Sequence, residues 1–188
     1  MKRLFQAWLL IAIIVSGLAG LLYATVQQVL RSDANDPQIQ TAEDAATTLG
    51  NGGSLQSVAP TGKVDISASL APYIIVFDAG GKPVASSAQL NGQTPTIPSG
   101  IFDAVRQKGE DRITWQPQPG IRSAIVVVQF RGSGGGFVLA GRSLREVEMR
   151  EDNFLHLDLL GWAAILVVSF LASMFLFGRP LPQEISER

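Results

Sequence analysis

Cysteine is absent from the sequence, and histidine occurs only once, as His156. The lack of cysteine excludes disulfide bonds and thiolate metal sites within the chain. Asp158 follows His156 by two positions, but side chains two apart on a helix point in different directions. No cluster of histidine and carboxylates has the spacing of a metal site, and no nucleophile has an identifiable partner base. We therefore expect no enzymatic activity, no metal and no cofactor.

Charge is also scarce. Charged residues make up 16% of the 188 residues and hydrophobic residues 46%, with a net charge of −1. A chain with no excess of positive charge lacks the electrostatic attraction on which nucleic-acid binding depends, so we expect no nucleic-acid partner.

Two uncharged runs at the ends of the chain predict transmembrane helices, at residues 4–28 and at about 158–178. A helix needs about 20 apolar residues to cross the hydrocarbon core of a bilayer, and both runs are long enough. Trp8 and Tyr23 lie near the ends of the first run and Trp162 lies near the start of the second, where aromatic rings favour the membrane interface. The lipid bilayer is thus an expected partner.

The alternative for the first run is a cleaved signal peptide, with Lys2 and Arg3 as its charged start. The apolar run is longer than the usual signal core of about 7–15 residues, which favours a retained helix. Lys2, Arg3 and Arg179 flank the two runs, and positive flanking charges stay on the cytoplasmic side. We expect a two-pass protein of the inner (plasma) membrane, with both termini and a short tail, 179–188, in the cytoplasm and the middle of the chain outside.

The extracytoplasmic segment, 36–142, begins with a predicted helix. Asn35 or Asp36 can cap its start, Pro37 suits its first turn and Gly50 ends it. The following GGSLQSVAPTG, residues 52–62, has the composition of a flexible loop.

Five strands are predicted after this loop, from alternating or continuous apolar runs separated by turn residues. They are YIIVF (73–77), KPVASS (82–87), RITWQ (112–116), SAIVVVQF (123–130) and GFVLAGR (136–142). The first strand is apolar on both faces, which is typical of a central strand, and Pro83 places the second at an edge. A short helix with the apolar stripe Ile101, Phe102 and Val105 precedes the last three strands, whose short turns predict an antiparallel meander. The fold class is therefore α+β, a five-stranded antiparallel sheet with helices on one face.

The stretch VFDAGGKPVASS resembles the first hairpin of the extracytoplasmic PAS-like (Cache-type) sensor domains of bacterial receptors and sensor histidine kinases. GFVLAGRSLREVE is similar to their closing strand and the helix that leads back to the membrane. The resemblance covers roughly residues 37–151. It implies a PAS-like domain that binds a small molecule or reports on the state of the envelope, and passes the result through the membrane.

The output part of a sensor kinase is missing from this sequence. The residues after Gly178 are too few for a HAMP linker, of which GRPLPQ has only a faint likeness, and His156 lies on the outer side of the second predicted span. Either the chain works through a separate membrane or cytoplasmic effector protein, which is the expected partner, or it is a cut-down relative of a receptor.

Four residues are candidates for contacting a ligand. Arg122 and Arg131 flank the most apolar strand, and arginine in PAS-like sensors often holds a ligand carboxylate. Tyr73 and Trp115 can line an apolar pocket. For each arginine the alternative is a solvated strand end, and for each aromatic residue it is ordinary core packing. The glycines of GSGGG, residues 132–136, are followed by an apolar strand, which indicates a hairpin turn and not a phosphate-binding loop.

Two features bear on transmission through the membrane. Ser143 and Glu146 have the spacing of a capping box, which predicts a juxtamembrane helix from 143 that continues to 178 as one rod. A break at Asn153 or Gly161 is the alternative.

Along the first run, small residues recur every four positions, which lets helices approach closely. They are Ala12, Ser16, Gly20 and Ala24. The neighbour is either the second span or another copy of the chain, which would make a homodimer.

These observations predict a non-enzymatic, membrane-anchored sensor module that binds a small ligand or partner and relays to a separate effector. The alternative is an envelope scaffold or assembly protein whose outer domain binds another protein. A well-formed ligand pocket favours the first function, and an exposed hydrophobic patch favours the second.

Overall fold

The computed structural model describes residues 2–132 and 134–177, without the side chains of residues 2–4, 34, 35 and 177. The predicted tail at 179–188, the predicted stop at Gly178 and Ser133 of the glycine-rich turn lie outside the described residues. The chain divides into two compact units: one comprises the chain up to Gln28 and from Arg150 onward, and the other comprises Val29–Met149. We call them the apolar helix unit and the sheet domain.

The chain forms four helices and seven strands within the described residues. The helices are α1 (Lys2–Gly50), α2 (Leu55–Val58), α3 (Ser99–Lys108) and α4 (Arg145–Phe177). The strands are β1 (Val64–Asp65), β2 (Tyr73–Asp78), β3 (Pro83–Ser86), β4 (Ala88–Gln89), β5 (Glu110–Gln118), β6 (Ile121–Phe130) and β7 (Gly136–Ser143).

The five longer strands form one antiparallel sheet in the order β3-β2-β7-β6-β5. This confirms the predicted α+β class, the five strands, the meander of β5, β6 and β7, and the edge position of β3. Strand β2 pairs with β7 along its whole length, from Tyr73 opposite Gly141 to Asp78 opposite Gly136. The first hairpin and the closing strand are therefore neighbours. The parallel pair of β1 and β4 was not predicted, because two residues are too few to show a pattern.

Helices cover both faces of the sheet, so the prediction of helices on one face is wrong. On one face, α3 contributes Phe102 and Val105 to a core with Tyr73, Ile75 and Phe77 of β2. On the other face, the last turns of α1 contribute Ala45, Ala46 and Leu49, which pack with Val76 and Val138. The physical reason lies in β2 itself, because a strand that is apolar on both faces needs cover on both.

Helix α1 runs through Pro37, so the predicted new helix start at Asn35 or Asp36 is wrong. Proline removes one backbone hydrogen bond, but in the turns that follow Gln38 is buried, and Ala42 and Ala46 pack against the sheet. The predicted loop at 52–62 contains the short helix α2, capped by the side chain of Ser54, which accepts a hydrogen bond from the Ser57 amide.

Helix α4 runs unbroken past Asn153 and Gly161. It begins two residues later than predicted, because Ser143 is the last residue of β7. The Ser143 hydroxyl still accepts a hydrogen bond, from the Arg145 amide at 3.3 Å.

Two helices are long and apolar enough to cross a membrane, judged by length and composition. They lie within Phe5–Gly50 and Arg145–Leu176, with mean hydropathies of 2.4 and 2.3 over their most apolar windows.

Candidate functional site

Tyr73 belongs to the core of the sheet domain. Its side chain is 3% exposed, and the ring lies directly over Gly141 of the neighbouring strand. Burial raises the pKa of Tyr73 to about 12, and the nearby Ser123 hydroxyl opposes part of that shift. Among the described residues, neither the Tyr73 hydroxyl nor the Ser123 hydroxyl has a partner that meets the distance and angle requirements of a hydrogen bond.

Trp115 lies in the same core, opposite Ser123 in the pairing of β5 with β6. The structure thus brings Tyr73 and Trp115 into one cluster, with their side chains buried in packing contacts.

Arg122 lies near the start of β6 and contacts the first turn of α4. Its guanidinium donates to the Glu148 carboxylate at 2.5 Å, and its backbone carbonyl accepts the Leu144 amide at 2.9 Å. Arg145 adds a hydrogen bond from its guanidinium to the Ala68 carbonyl at 2.7 Å. We refer to Arg122, Leu144, Arg145 and Glu148 as the α4 attachment. It fixes the first turn of α4 to β6 and to the loop after β1.

Arg131 lines a cleft at the end of the β6–β7 hairpin, with a volume of about 440 Å³. Arg106 of α3 lines the same cleft, which we call the arginine cleft. The Arg106 guanidinium donates to Asp103 at 2.6 Å and to the Ala79 carbonyl at 2.9 Å, and it stacks 5.1 Å from the centre of the Phe137 ring. These contacts hold one cation in a fixed orientation at the wall of the cleft.

A second groove, of about 460 Å³, lies on the other side of the strand end formed by Gln129, Phe130 and Arg131. Glu43 and Thr47 of α1 form its far wall. Arg131 therefore lines both openings, and it makes no ion pair with the residues that the structure describes.

The apolar helix unit pairs the first part of α1 with α4. Trp162 donates to the Ser16 hydroxyl at 2.9 Å, and Trp8 donates to the Leu166 carbonyl at 3.3 Å and packs edge-on against Phe170. Of the four predicted packing residues, Ala12 is half-buried and Ser16 accepts the bond from α4, whereas Gly20 and Ala24 are exposed.

His156 donates a hydrogen bond from Nδ1 to the Asp152 carbonyl at 2.7 Å. Within residues 2–132 and 134–177, no three histidine or carboxylate side chains come close enough together to hold a metal ion.

Arg106 and Glu148 are the functional candidates that sequence reasoning missed. Arg106 belongs to a polar helix face and reaches the cleft only because α3 packs beside the β6–β7 hairpin. Glu148 lies two residues after the predicted capping box, about one turn into α4. This position was the sequence signal that could have identified it as a contact of the helix start. No family model and no curated protein matches this chain.

Proposed function

We propose that the chain is a non-enzymatic, membrane-anchored sensor module. The sheet domain lies outside the inner membrane and responds to a small ligand or a partner, and α4 relays the response to a separate effector. The protein crosses the membrane twice, and both termini are cytoplasmic.

The α4 attachment is the observation that carries this proposal. A helix that only anchors a domain needs no specific contact with it, whereas α4 contacts β6 through the Arg122–Glu148 ion pair. Leu144, the residue just before α4, also donates its amide to the Arg122 carbonyl. The same helix continues without interruption to Phe177. A shift of β6 within the sheet would therefore act directly on the first turn of α4.

The exposed surface of the apolar helix unit supports a membrane location. Large apolar side chains are more than half exposed on both helices, among them Leu21, Leu160 and Val168. Soluble proteins rarely expose apolar patches of this extent, and a lipid environment removes the unfavourable contact with water.

The PAS-like resemblance is supported by the position of the two segments that carry it. Residues of the first hairpin and of the closing strand are hydrogen-bonded neighbours in the sheet, and the closing strand leads straight into α4. A sensor sheet of this kind would couple its central strand pair to the exit helix.

Topology can be tested with alkaline phosphatase, which is active only outside the cytoplasm. A fusion at Asn91, in the turn after β4, should be active, and a fusion after Arg188 should be inactive. The opposite pattern would reject the proposed orientation.

The relay can be tested in a fusion of residues 1–178 to the HAMP and kinase regions of a sensor kinase with a known reporter. We expect reporter output to vary with growth conditions, and Glu148→Gln, which removes one partner of the α4 attachment, to reduce that variation at unchanged protein level. Arg112→Gln is the matched control, because Arg112 pairs with Glu110 away from α4. Constant output in all conditions, together with crosslinking of the sheet domain to one envelope protein, would favour the scaffold function.

A further inference from the structure

We propose that a groove between α1 and α4, within the apolar helix unit, binds a phospholipid whose headgroup carries a primary ammonium group, as in phosphatidylethanolamine. Asp158 pairs with the ammonium group, and one acyl chain of the lipid lies along the apolar walls. The proposal rests on the membrane location proposed above and not on the sensor role, so it holds for a scaffold protein as well.

The groove, which we call the helix groove, has a volume of about 430 Å³. The two helices are tied together beside it by the hydrogen bond from Trp162 to the Ser16 hydroxyl. Gly161 keeps part of it open, because a Cβ at this position would meet no atom within 4 Å. Its walls are otherwise largely hydrocarbon, contributed by Val15, Leu18 and Leu22 of α1 and by Phe154, Leu157 and Ile165 of α4.

Asp158 is the one charged side chain among the described residues of the helix groove. It is partly buried, and it makes no ion pair or hydrogen bond with the part of the chain that the structure describes. Residues 4–30 and 151–178 contain no lysine or arginine, and His156 lies two positions away on a different side of the helix. A carboxylate beside hydrocarbon is costly unless a cation pairs with it, so the cation has to come from another molecule.

The position of Asp158 along α4 suits a lipid headgroup. It directly precedes the uncharged run 159–177, which places the carboxylate at the boundary between hydrocarbon and headgroups. At a rise of about 1.5 Å per residue, the groove extends about 6 Å from Asp158 toward Phe154 and about 10 Å toward Ile165. The first distance is close to the depth of a headgroup layer, and the second lies within one leaflet, about 15 Å of hydrocarbon.

The width of the helix groove favours a single acyl chain over a partner helix. A volume of about 430 Å³ over a length of about 16 Å corresponds to a cross-section of about 27 Å². A helix about 10 Å across needs about 80 Å². A lysine on a partner helix would supply the same ammonium group, but the backbone that carries it would not enter the groove.

The charge of Asp158 selects the headgroup. The carboxylate repels an anionic headgroup such as phosphatidylglycerol. Choline carries a positive charge without N–H donors, whereas a primary ammonium group has three and forms charge-assisted hydrogen bonds with a carboxylate. Phosphatidylethanolamine is therefore the probe of choice, and its N-methylated derivatives remove the donors one at a time.

The test uses native mass spectrometry of the full chain in mild detergent, with phosphatidylethanolamine, phosphatidylcholine and phosphatidylglycerol of identical acyl chains. We expect phosphatidylethanolamine to bind about fivefold more tightly than either of the others, and stepwise N-methylation to weaken it. Asp158→Asn should remove the preference among the three lipids. Gly161→Leu, which fills the groove, should weaken the binding of all three. Free phosphoethanolamine should not displace the lipid, because it has no acyl chain.

Two matched variants control for charge and bulk. Asp152→Asn removes the same charge, and Ala164→Leu adds a leucine, both at exposed positions of α4 outside the groove. Neither should alter lipid binding. Equal loss of preference in Asp152→Asn and Asp158→Asn would overturn the site.

Three other results would also contradict the proposal. Equal binding of phosphatidylethanolamine and phosphatidylcholine, by a chain that floats with lipid vesicles, would overturn the site alone. Displacement of phosphatidylethanolamine by a leucine-rich transmembrane peptide with one lysine would assign the groove to a partner helix. A chain that floats with vesicles of no composition would overturn the membrane location and the site together.

Discussion

Single residues decide which parts of the sheet domain are closed to a ligand. Tyr73 was a candidate ligand contact, but its ring occupies the space that a side chain at 141 would need. A strand pattern specifies the face to which Tyr73 belongs, and it carries no information on what covers that face. Because position 141 on the neighbouring strand is glycine, the Tyr73 ring can pack there as part of the core.

A side chain at Gly141 should therefore destabilise the sheet domain. A Cβ there would lie 2.4 Å from the Cζ atom of Tyr73, well inside van der Waals contact. We expect Gly141→Ala to lower the free energy of unfolding by about 1–3 kcal/mol, the usual range for overpacking. Denaturant unfolding would measure this. Gly100→Ala in α3 is the matched control, because its Cβ would meet no atom within 4 Å, and a stability equal to or up to about 1 kcal/mol above that of the wild type is expected there. Equal effects of both substitutions would contradict the close packing.

The buried hydroxyl of Tyr73 should make stability depend on pH in the alkaline range. Its pKa rises from 10.0 to about 12 on folding because burial disfavours the tyrosinate. Above pH 10 the unfolded chain loses this proton while the folded chain keeps it, so the contribution is complete below about pH 10 and is lost as the pH rises toward 12. The expected slope is about 1.4 kcal/mol per pH unit in that window. Tyr73→Phe should remove this part of the slope in unfolding measurements between pH 9 and 11.5. An unchanged slope would place the Tyr73 hydroxyl in water.

At the scale of elements, the strands follow from the sequence and the helix boundaries do not. All five long strands show alternation or an apolar run that is local to each segment. The predicted start of a new helix at Asn35 or Asp36 rested partly on Pro37, also a local signal, but burial of Ala42 and Ala46 against the sheet outweighs the lost hydrogen bond. Candidate site residues were predictable only where the signal was local. Arg131 was predicted because it lies at the end of an apolar strand. Arg106 was missed because its position beside the cleft depends on the packing of α3 against a hairpin distant in sequence.

The exposed small residues of α1 suit a contact with a second copy of the chain. Gly20 and Ala24 are exposed in the single chain, whereas Ala19 lines the groove toward α4. Because the chain contains no cysteine, a single introduced cysteine cannot form a disulfide within the chain, and a product of twice the monomer mass reports a crosslink between two copies. We expect Ala24→Cys to form disulfide dimers in membranes under mild oxidation and Ala19→Cys to form few. Equal crosslinking at both positions would indicate random collision and contradict a homodimer through this face.

At the scale of the whole molecule, α4 is the element through which the proposed signal would pass. Its 33 residues include the attachment to β6 at one end and a strongly apolar run toward the other. A proline at Val147 would disturb it little, because Val147 lies in the first turn, where backbone N–H groups have no partner within the helix. Asn153 lies two turns further along, so proline there removes a helical hydrogen bond and clashes with the preceding turn.

We therefore expect Asn153→Pro to uncouple the two ends of α4, at a local cost of about 3 kcal/mol or more, while the sheet domain stays folded. Spin labels on cysteines introduced at Gln116 in β5 and at Met174 near the far end of α4, both exposed, would report the distance between the sheet and that end of α4 by pulsed electron resonance in nanodiscs. The distance distribution should broaden in Asn153→Pro and should remain as in the wild type in Asn153→Ala and Val147→Pro. In the kinase fusion, the same Asn153→Pro change should abolish condition-dependent output. If the distribution and the output are both unaltered by proline at 153, α4 serves only as an anchor, since a helix that transmits force cannot lose its continuity without consequence.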